Sequence, residues 1–346
     1  MIRTINMLNK SDSVKGKDGG VASASEEAID LIKKGIGKEY KILENEKTYA
    51  NITHLHSINL KSLNYILKID SLKKHGKVIG SVHYLPETLE NSFNMPKFIR
   101  KIFYFYIIKI YKKMDYLVTV NPYFVHKLKE YGIDENKISY VPNFVDEEKF
   151  FPIDVDEKQK LKDKYKIKKD SFVVLGVGHL QKRKGIFDFL KVAENLKEFE
   201  FVWAGSFPFG AMSEGYSEIK KYLKNPPKNV HFLGNIERKN MNEIYNLADV
   251  LLFPSLSEVF PMVLLEAMSC NVPILVRDIS LYKEILFDFY LKEKNVEGFT
   301  RILKNLKEDE NFYKKAKEMS KKGHEFYSSE HVLKMWQDFY KKVENS

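Results

Sequence analysis

The chain has 346 residues, a net charge of +10, 44% hydrophobic residues and 13% aromatic residues. This composition excludes a disordered chain, and the length allows two domains that each bury a core. The single cysteine, Cys270, excludes an intramolecular disulfide framework and a cysteine-based zinc site, and it favours a reducing compartment. The excess of Lys and Arg favours a polyanionic partner such as nucleic acid, an anionic bilayer or phosphates, or else it only solvates the surface.

The first half of the chain alternates short apolar strands with amphipathic helices, which is typical of a parallel sheet with helices on both faces. Strands are predicted near residues 2–8, 41–43, 51–55, 77–83, 116–120 and 138–141. Helices are predicted near residues 21–34, 60–74, 96–114 and 122–131. Residues 141–160 contain two prolines and a run of charge, which indicates a connector.

The second half repeats the same alternation. Strands are predicted near residues 172–178, 199–205, 230–234, 250–255 and 272–278. Helices are predicted near residues 185–196, 214–224, 238–246, 261–269, 295–306 and 328–344. The fold class is therefore α/β, with two doubly wound, Rossmann-like domains at residues 1–155 and 156–327, and with the closing helix 328–346 packed back on the first domain. Because open α/β sheets bind ligands at the C-terminal ends of their strands, we expect a ligand in a cleft between the domains.

Two glutamates accompany the helix that follows the strand 250–255. Pro261 occupies a favoured first-turn position, and the N-terminus of the helix would offer N–H groups to a diphosphate. Glu258 precedes the helix and Glu266 lies on it, eight residues later, and eight helical residues rise about 12 Å. The two carboxylates could accept hydrogen bonds from hydroxyls at the two ends of a nucleotide sugar. The alternative is a solvated Glu258 and a Glu266 that caps the core.

Further candidate residues lie at other strand ends. Arg183 and Lys184 follow the first strand of the second half, where cations could neutralise a diphosphate leaving group. His83 lies at the tip of the strand near 77–83, and Gly20 belongs to a glycine loop through which backbone could approach a phosphate. Each feature alone is as compatible with a structural or solvated role, and only the combination indicates a nucleotide-sugar site.

Together these motifs resemble glycosyltransferase family 4. The resemblance is carried by the E-x7-E of Glu258 and Glu266, the AMSCNVP that follows, the basic RKG, the glycine loop and the strand-tip VH. The segments INMLNKSDSVKG, VHYLPET, YKKMDYLVTVNPYF, FPMVLLEAM and LFDFYLKE are similar to the glycolipid branch that makes diglycosyldiacylglycerols. The similarity covers nearly the whole chain and implies the GT-B fold, transfer with retention of anomeric configuration, and no metal or other cofactor. It also implies UDP-glucose or UDP-galactose as donor and a glycolipid such as monoglucosyldiacylglycerol as acceptor.

The resemblance assigns roles to individual residues. Glu266 would hold the ribose hydroxyls, and Glu258 would hold hydroxyls of the donor sugar. Lys184, supported by Arg183, would stabilise the departing diphosphate, and His83 would contact the donor sugar near the reaction centre. The remaining donor-binding positions that it implies are Gly20, His179, Asn235, Ile236, Phe260 and Met262.

Two departures from the family pattern affect the phosphate site. His179 stands where the family usually has Arg, and Val259 and Pro261 stand where it usually has Gly. Proline has no N–H, so one phosphate donor is lost. We expect an altered phosphate geometry.

A D-x-D pair, Asp154 and Asp156, lies in the charged connector and not at a strand end. We interpret it as solvated surface and not as a metal site.

A basic aromatic segment at residues 96–114 indicates contact with a membrane surface. Between residues 68 and 113, ten Lys or Arg residues stand against three acidic residues. The apolar run is too short to cross a bilayer, but its basic flanks suit an interfacial helix on anionic lipid. The candidate lipid-contacting residues are Lys97, Arg100, Lys101, Lys109, Lys112 and Lys113. The alternative is an internal helix with a solvated basic edge.

The N-terminus has no long apolar core and no cleavage site, and no stretch approaches about 18 uncharged apolar residues. We therefore expect a cytoplasmic protein that associates peripherally with the inner face of the plasma membrane.

Other functions remain open at this point. The same chemistry could act on a polysaccharide or cell-wall precursor. A basic nucleic-acid-binding protein would need clustered basic residues with exposed aromatics, which occur only near 96–113, so no nucleic-acid partner is expected. A nicotinamide dehydrogenase is disfavoured because no G-x-G-x-x-G follows the first strand.

Overall fold

The computed structural model describes residues 3–9, 20–46, 48–56, 76–86, 97–208 and 210–346. The chain divides into two compact units. The first comprises Met1–Phe144 together with Ser329–Ser346, and the second comprises Val145–Ser328.

The first unit contains one six-stranded parallel sheet. Its strands are β1 (Arg3–Leu8), β2 (Tyr40–Glu44), β3 (Ile52–Leu55), β4 (Lys77–Val82), β5 (Tyr116–Thr119) and β6 (Ile138–Tyr140), in the order β2-β1-β3-β4-β5-β6. The described helices of this unit are α1 (Gly20–Ile36), α2 (Lys97–Lys113), α3 (Pro122–Glu130) and the C-terminal helix, which is numbered α12 below (Ser329–Glu344).

The C-terminal helix packs on the first sheet. Val332, Trp336, Phe339 and Tyr340 recur at helical spacing and are buried together with the sheet residue Ile79. The last helix of the chain therefore completes the core of the first unit.

The second unit contains a second six-stranded parallel sheet. Its strands are β7 (Val173–Val177), β8 (Glu200–Ala204), β9 (Val230–Gly234), β10 (Val250–Phe253), β11 (Ile274–Arg277) and β12 (Leu291–Glu293), in the order β12-β11-β10-β7-β8-β9. The helices are α4 (Val155–Lys164), α5 (Ile186–Asn195), α6 (Tyr216–Lys224), α7 (Met241–Leu247), α8 (Met262–Ser269), α9 (Ser280–Leu286), α10 (Val296–Glu308) and α11 (Glu310–Phe326).

Alternate residues along the strands of the second sheet pack into two apolar layers. On β7, Val173 and Leu175 pack in one layer, and Val174 packs in the other. On β8, Val202 belongs to the first layer and Trp203 to the second. Both faces of the sheet are covered, which explains why its strands read as continuous apolar runs.

The observed division of the chain lies eleven residues before the boundary predicted at 155/156, between Phe144 and Val145. Val145 and Phe150 are buried in the core of the second unit, and the N–H of Val145 donates to the carbonyl of Tyr327 at 3.3 Å. The segment after Phe144 therefore belongs to the second unit.

Several elements differ from the sequence prediction. The segment interpreted as a connector, residues 141–160, overlaps α4, whose polar sequence carries little helical periodicity. The short strand β12 and the helices α9 and α11 were also missed. The helix predicted at 60–74 lies outside the described residues.

Candidate functional site

The candidate site of the second unit lies where the strand order of its sheet reverses. Numbered within that sheet, the strands follow the order 6-5-4-1-2-3, so β7 and β10 are neighbours and their connections leave in opposite directions. Open α/β sheets bind their ligands at this switch point. The turns after the two strands are joined, because the N–H of Leu256 donates to the carbonyl of Arg183 at 2.9 Å.

Glycines allow these turns to approach one another closely. Gly185 has a φ of +75°, and a Cβ at this position would lie 2.3 Å from the carbonyl oxygen of Pro254. Gly205 has a φ of +140°, and its Cβ would lie 2.0 Å from the carbonyl oxygen of Gly178. A side chain at either position would separate the turns that carry the site.

Lys184 and Glu258 form an ion pair at the centre of this switch point. Lys184 Nζ lies 2.5 Å from Glu258 Oε1, and Ser255 Oγ donates to the same oxygen at 2.6 Å. The exposed fractions of the two charged side chains are 14% and 9%. Arg183 lies 3.8 Å from the same carboxylate oxygen, and its guanidinium donates to the carbonyl of Ser257 at 2.7 Å.

Burial lowers the pKa of Lys184, and the Glu258 carboxylate acts in the opposite direction. The pair neutralises itself in the ligand-free chain. Separating two such partially buried charges costs about 3–5 kcal/mol unless new partners replace them. A ligand that binds here must therefore supply an anion to Lys184 and hydrogen-bond donors to Glu258.

Helix α8 begins one residue later than predicted. Pro261 is the residue before the helix, and Met262 is its first residue. The first N–H groups of a helix have no intrahelical partner, and in α8 these include the N–H groups of Met262 and Val263. The Phe260 ring packs edge-on against Tyr327 at 6.0 Å between ring centroids, so its side chain is part of the hydrophobic core of the second unit.

Glu266 is buried on α8 and lies between two partners that the sequence did not reveal. Tyr245 Oη donates to Glu266 Oε2 at 2.6 Å, and Arg238 Nη1 lies 2.9 Å from Glu266 Oε1. Arg238 follows Asn235 and Ile236 by three and two residues, which places that loop at the Glu266 end of the site. The carboxylate thus contacts both the core, through Tyr245, and the partly exposed Arg238.

His179 is exposed in the turn after β7. Desolvation and the nearby Lys184 cation both lower the pKa of His179. It is therefore neutral at pH 7 and adds no positive charge to the turn.

In the first unit, His83 lies directly after β4, as predicted. Its Nε2 donates to the carbonyl oxygen of His56 at 3.0 Å. His83 lines a cavity of about 20 Å³ together with His56, Ser81, Thr119 and Trp336. Sequence reasoning missed His54 and His56, although the H-x-H spacing at the end of β3 put both rings on one face of the strand.

Gly20 is the first residue of α1, which agrees with a loop that leads into a helix. The remainder of the predicted glycine loop, including Gly19, lies outside the described residues.

Helix α2 has a buried face and an exposed face. Ile107, Ile110 and Tyr111 are buried, and so is Met114 directly after the helix. On the opposite face, Phe98, Ile102 and Phe105 are 74%, 53% and 71% exposed. The exposed lysines of the helix are Lys101, Lys109, Lys112 and Lys113, while the side chains of Lys97 and Arg100 lie outside the described part. In the part of the chain that the structure describes, no helix is long and apolar enough to cross a bilayer.

The D-x-D pair has a structural role. Asp154 precedes α4, and its side chain accepts from the N–H of Glu157 at 2.8 Å, which is a helix N-cap. Asp154 and Asp156 are both exposed. Across the described ranges, no group of three or more His, Cys, Asp or Glu residues is arranged to hold a metal ion.

Two family models match the chain. Residues 38–149 match the model described as Glycosyltransferase Family 4, and residues 157–326 match the model described as Glycosyl transferases group 1. The first match contains β2 to β6 of the first sheet, and the second contains all six strands of the second sheet.

Individual relatives extend this result. The alpha-galactosylglucosyldiacylglycerol synthase of Streptococcus pneumoniae is 41% identical over 98% of this chain and 89% of that protein. The processive diacylglycerol alpha-glucosyltransferase of Acholeplasma laidlawii is 29% identical over 73% of this chain and 77% of that protein.

Solved structures share the fold. Anabaena Alr3699/HepE in complex with UDP-glucose matches with a TM-score of 0.72 at 12% identity, over 98% of this chain and 99% of that chain. A glycosyltransferase from Rickettsia africae matches with a TM-score of 0.73 at 16% identity, over 99% of this chain and 98% of that chain. The predicted GT-B fold is confirmed.

The Lys184–Glu258 pair yields a direct test. Glu258→Gln removes the carboxylate that raises the pKa of Lys184 and leaves the burial that lowers it. The pKa of Lys184 should therefore fall further, and NMR titration of ¹³C-methylated lysines measures it. Ser255→Ala is the matched control, because it removes a hydrogen bond to the same oxygen but keeps the charge, and it should leave the Lys184 titration nearly unchanged. An unshifted Lys184 in Glu258→Gln would show that the two charges do not interact.

Proposed function

Because this chain belongs to glycosyltransferase family 4, we propose that it transfers glucose or galactose from a UDP-sugar to a membrane glycolipid such as monoglucosyldiacylglycerol. The observation that carries the proposal is the Lys184–Glu258 pair at the switch point of the second sheet, beside the N-terminus of α8. A sugar diphosphate supplies what this pair requires, since its phosphates replace Glu258 as the partner of Lys184 and its sugar hydroxyls replace Lys184 as the partner of Glu258.

The rest of the donor follows the length of α8. The diphosphate accepts hydrogen bonds from the first N–H groups of the helix, which also carries a positive dipole at this end. Glu266 accepts from the ribose hydroxyls, with Arg238 moving aside or sharing the carboxylate. Backbone groups of the loop at Asn235 and Ile236 bind the uracil base.

The reaction proceeds with retention of configuration. The acceptor hydroxyl oxygen forms a bond to the anomeric carbon as the bond to the UDP oxygen breaks, and the leaving phosphate takes the hydroxyl proton on the same face. UDP-glucose and UDP-galactose are α-linked, and the two relatives described above carry "alpha" in their names, which supports retention. Lys184 and Arg183 stabilise the charge on the leaving diphosphate, so no metal ion is needed.

The acceptor is inferred from the same relatives. The names of both describe diacylglycerol glycolipids, and that of the more similar one describes a galactosyl–glucosyl product. Galactose donation to a glucosyldiacylglycerol is therefore the first combination to test.

A glycolipid acceptor requires access to a bilayer, and α2 offers a surface for it. Phe98, Ile102 and Phe105 are spaced by four and three residues, so they share one face of the helix. Lys109 and Lys112 continue this face by four and seven residues beyond Phe105. An exposed apolar stripe that continues into lysines suits an interfacial helix, which buries its aromatic rings among acyl chains and pairs its lysines with anionic headgroups. The protein would thus bind peripherally at the cytoplasmic leaflet.

The acceptor class is tested with purified protein, radiolabelled UDP-galactose and UDP-glucose, and three acceptors. The acceptors are monoglucosyldiacylglycerol in mixed micelles, an undecaprenyl-diphosphate-linked sugar, and a soluble glycan. We expect a labelled diglycosyldiacylglycerol with an α-anomeric signal by ¹H NMR, formed equally well with EDTA present. Transfer only to the polyprenyl-linked sugar or the soluble glycan would refute the glycolipid assignment while keeping the chemistry. A requirement for added divalent metal would refute metal independence.

The membrane surface is tested by charge reversal. Replacing Lys109, Lys112 and Lys113 with Glu should weaken binding to phosphatidylglycerol vesicles at least 100-fold, because each basic residue contributes about 1 kcal/mol at an anionic surface. Vesicle co-sedimentation measures the loss.

The matched control reverses three exposed lysines of the second unit, Lys314, Lys315 and Lys321, with the same change in net charge. This control should bind vesicles nearly as the unmodified protein does. Equal losses in both variants would show that binding reflects net charge alone and that α2 is not the contact surface.

A further inference from the structure

A buried chain of polar side chains runs from the C-terminal helix to the ends of β3 and β4. Tyr340 Oη lies 2.7 Å from His54 Nδ1, and His54 Nε2 lies 3.0 Å from Ser81 Oγ. Tyr340 and His54 have no exposed surface, and Ser81 is 6% exposed. Three polar side chains in a core are costly unless each finds a partner, so this arrangement is specific and not incidental.

The hydrogen bonds fix the protonation of His54. Tyr340 Oη has one proton and two neighbouring acceptors, His54 Nδ1 and the Met7 thioether at 3.9 Å. A thioether is a weak acceptor, so the hydroxyl donates to Nδ1, and Nε2 carries the proton that is donated to Ser81.

His56 connects this chain to His83. The rings of His54 and His56 lie 4.0 Å apart between centroids, and the backbone carbonyl of His56 receives the hydrogen bond of His83. A carbonyl oxygen only accepts, so Nε2 of His83 must carry a proton. In the neutral ring Nδ1 then keeps its lone pair, so this atom is able to accept a hydrogen bond from a hydroxyl.

The surroundings keep these rings neutral. Burial lowers the pKa of His83 and holds that of His54 well below its ordinary value, and burial lowers the pKa of His56 to about 3. Tyr84 lies beside His83, with ring centroids 6.3 Å apart, and burial raises the pKa of Tyr84. Among the described residues, the other polar groups that face the cavity of His83 are uncharged, namely Ser25, Ser81, Thr119, Asn143 and Trp336.

The C-terminal helix also lines the cavity of His83 directly, through a residue one turn before Tyr340. Trp336 is 5% exposed, lines the cavity with His83, and its indole N–H has no hydrogen-bond partner in the described part of the chain. The helix that carries Tyr340 therefore also forms part of the wall around His83.

We propose that Tyr340 is a positioning residue, which acts through His54 and His56 to hold His83 as a hydroxyl acceptor at the end of β4. This inference rests on the proposed function and on the role that the family resemblance gives His83, which is to contact the donor sugar near the reaction centre. It adds that the last helix of the chain sets the geometry of that contact and that the contact runs from a sugar hydroxyl to Nδ1 of a neutral ring.

The test is Tyr340→Phe, which removes one hydroxyl and keeps the ring. The matched control is Tyr40→Phe, because Tyr40 Oη lies 3.0 Å from Glu344 on the same helix but outside the histidine chain. In Tyr340→Phe, kcat should fall about 10- to 100-fold, the range that a small misplacement near a reacting centre produces. KM for the UDP-sugar should change less than about threefold, and Tyr40→Phe should keep kcat.

Two further readouts separate positioning from a loss of folding. In ¹⁵N-histidine-labelled protein without ligand, two-bond ¹H–¹⁵N correlations should show an Nε2–H ring for His83, assigned by comparison with His83→Gln. If Tyr340 holds the cluster in place, His83 should be less firmly held in its buried position in Tyr340→Phe, and the pKa of His83 should then rise toward its ordinary value. Because the accepting form is lost as the pH falls through that pKa, the acid limb of kcat should move to higher pH. If Tyr340→Phe does not fold, Ser81→Ala breaks the other end of the chain and should shift the same limb.

An Nδ1–H ring for His83 in the unmodified protein would overturn the proposal, as would an unchanged kcat and pH profile in Tyr340→Phe or Ser81→Ala. The ring signals are read without substrate. An unmodified protein that transfers no sugar from either UDP-sugar to any acceptor would therefore refute the proposed function separately from the hydrogen-bond chain.

Discussion

The ion pair between Lys184 and Glu258 is the constraint on which the nucleotide-sugar interpretation depends. The two side chains come from the turns after β7 and β10, which meet only because the strand order of the second sheet reverses there. Both charged side chains are mostly buried. A ligand that separates them must therefore offer an anionic group to Lys184 and a hydrogen-bond donor to Glu258. An anion joined to a polyhydroxy group does this, whereas an anion alone leaves Glu258 without a donor. In the proposed function, the same pair would account for binding of a phosphate and for preference for a glycosylated phosphate.

The second glutamate is held differently, and the difference is informative. Glu258 is paired with the cation of Lys184, whereas Glu266 accepts a hydrogen bond from Tyr245 in the core and contacts the exposed Arg238. The first carboxylate can exchange partners when ligand binds, and the second is prepositioned. This difference between the two carboxylates suits a nucleotide-sugar donor. Its nucleoside needs only to be bound, at Glu266, whereas its sugar, at Glu258, takes part in the reaction.

Much of the architecture could be predicted from the sequence, because parallel strands buried on both faces read as uninterrupted apolar runs such as FVVLGVG and VLLFPS. The polar helix α4 was missed for the opposite reason, since Asp154, Val155 and Asp156 are all exposed and offer little apolar periodicity. The positions of Glu258, Lys184 and His83 at strand ends were predictable from topology. The long-range partners within the sites were not predictable, because Tyr245 contacts Glu266 across 21 positions and Tyr340 contacts His54 across 286 positions, which no local pattern encodes.

The assignment of the two glutamates is tested most directly by calorimetry, which measures the affinity of the Glu266→Gln and Glu258→Gln variants for UDP without a sugar. If Glu266 holds the ribose and Glu258 holds the sugar, Glu266→Gln should weaken UDP binding about 10- to 100-fold, the loss of a hydrogen bond to a charged group. Glu258→Gln should bind UDP at least as tightly as the unmodified protein, because Lys184 is released to the diphosphate. UDP affinity that is unchanged in Glu266→Gln, or that falls equally in both variants, would contradict the assignment of the two glutamates to opposite ends of the donor.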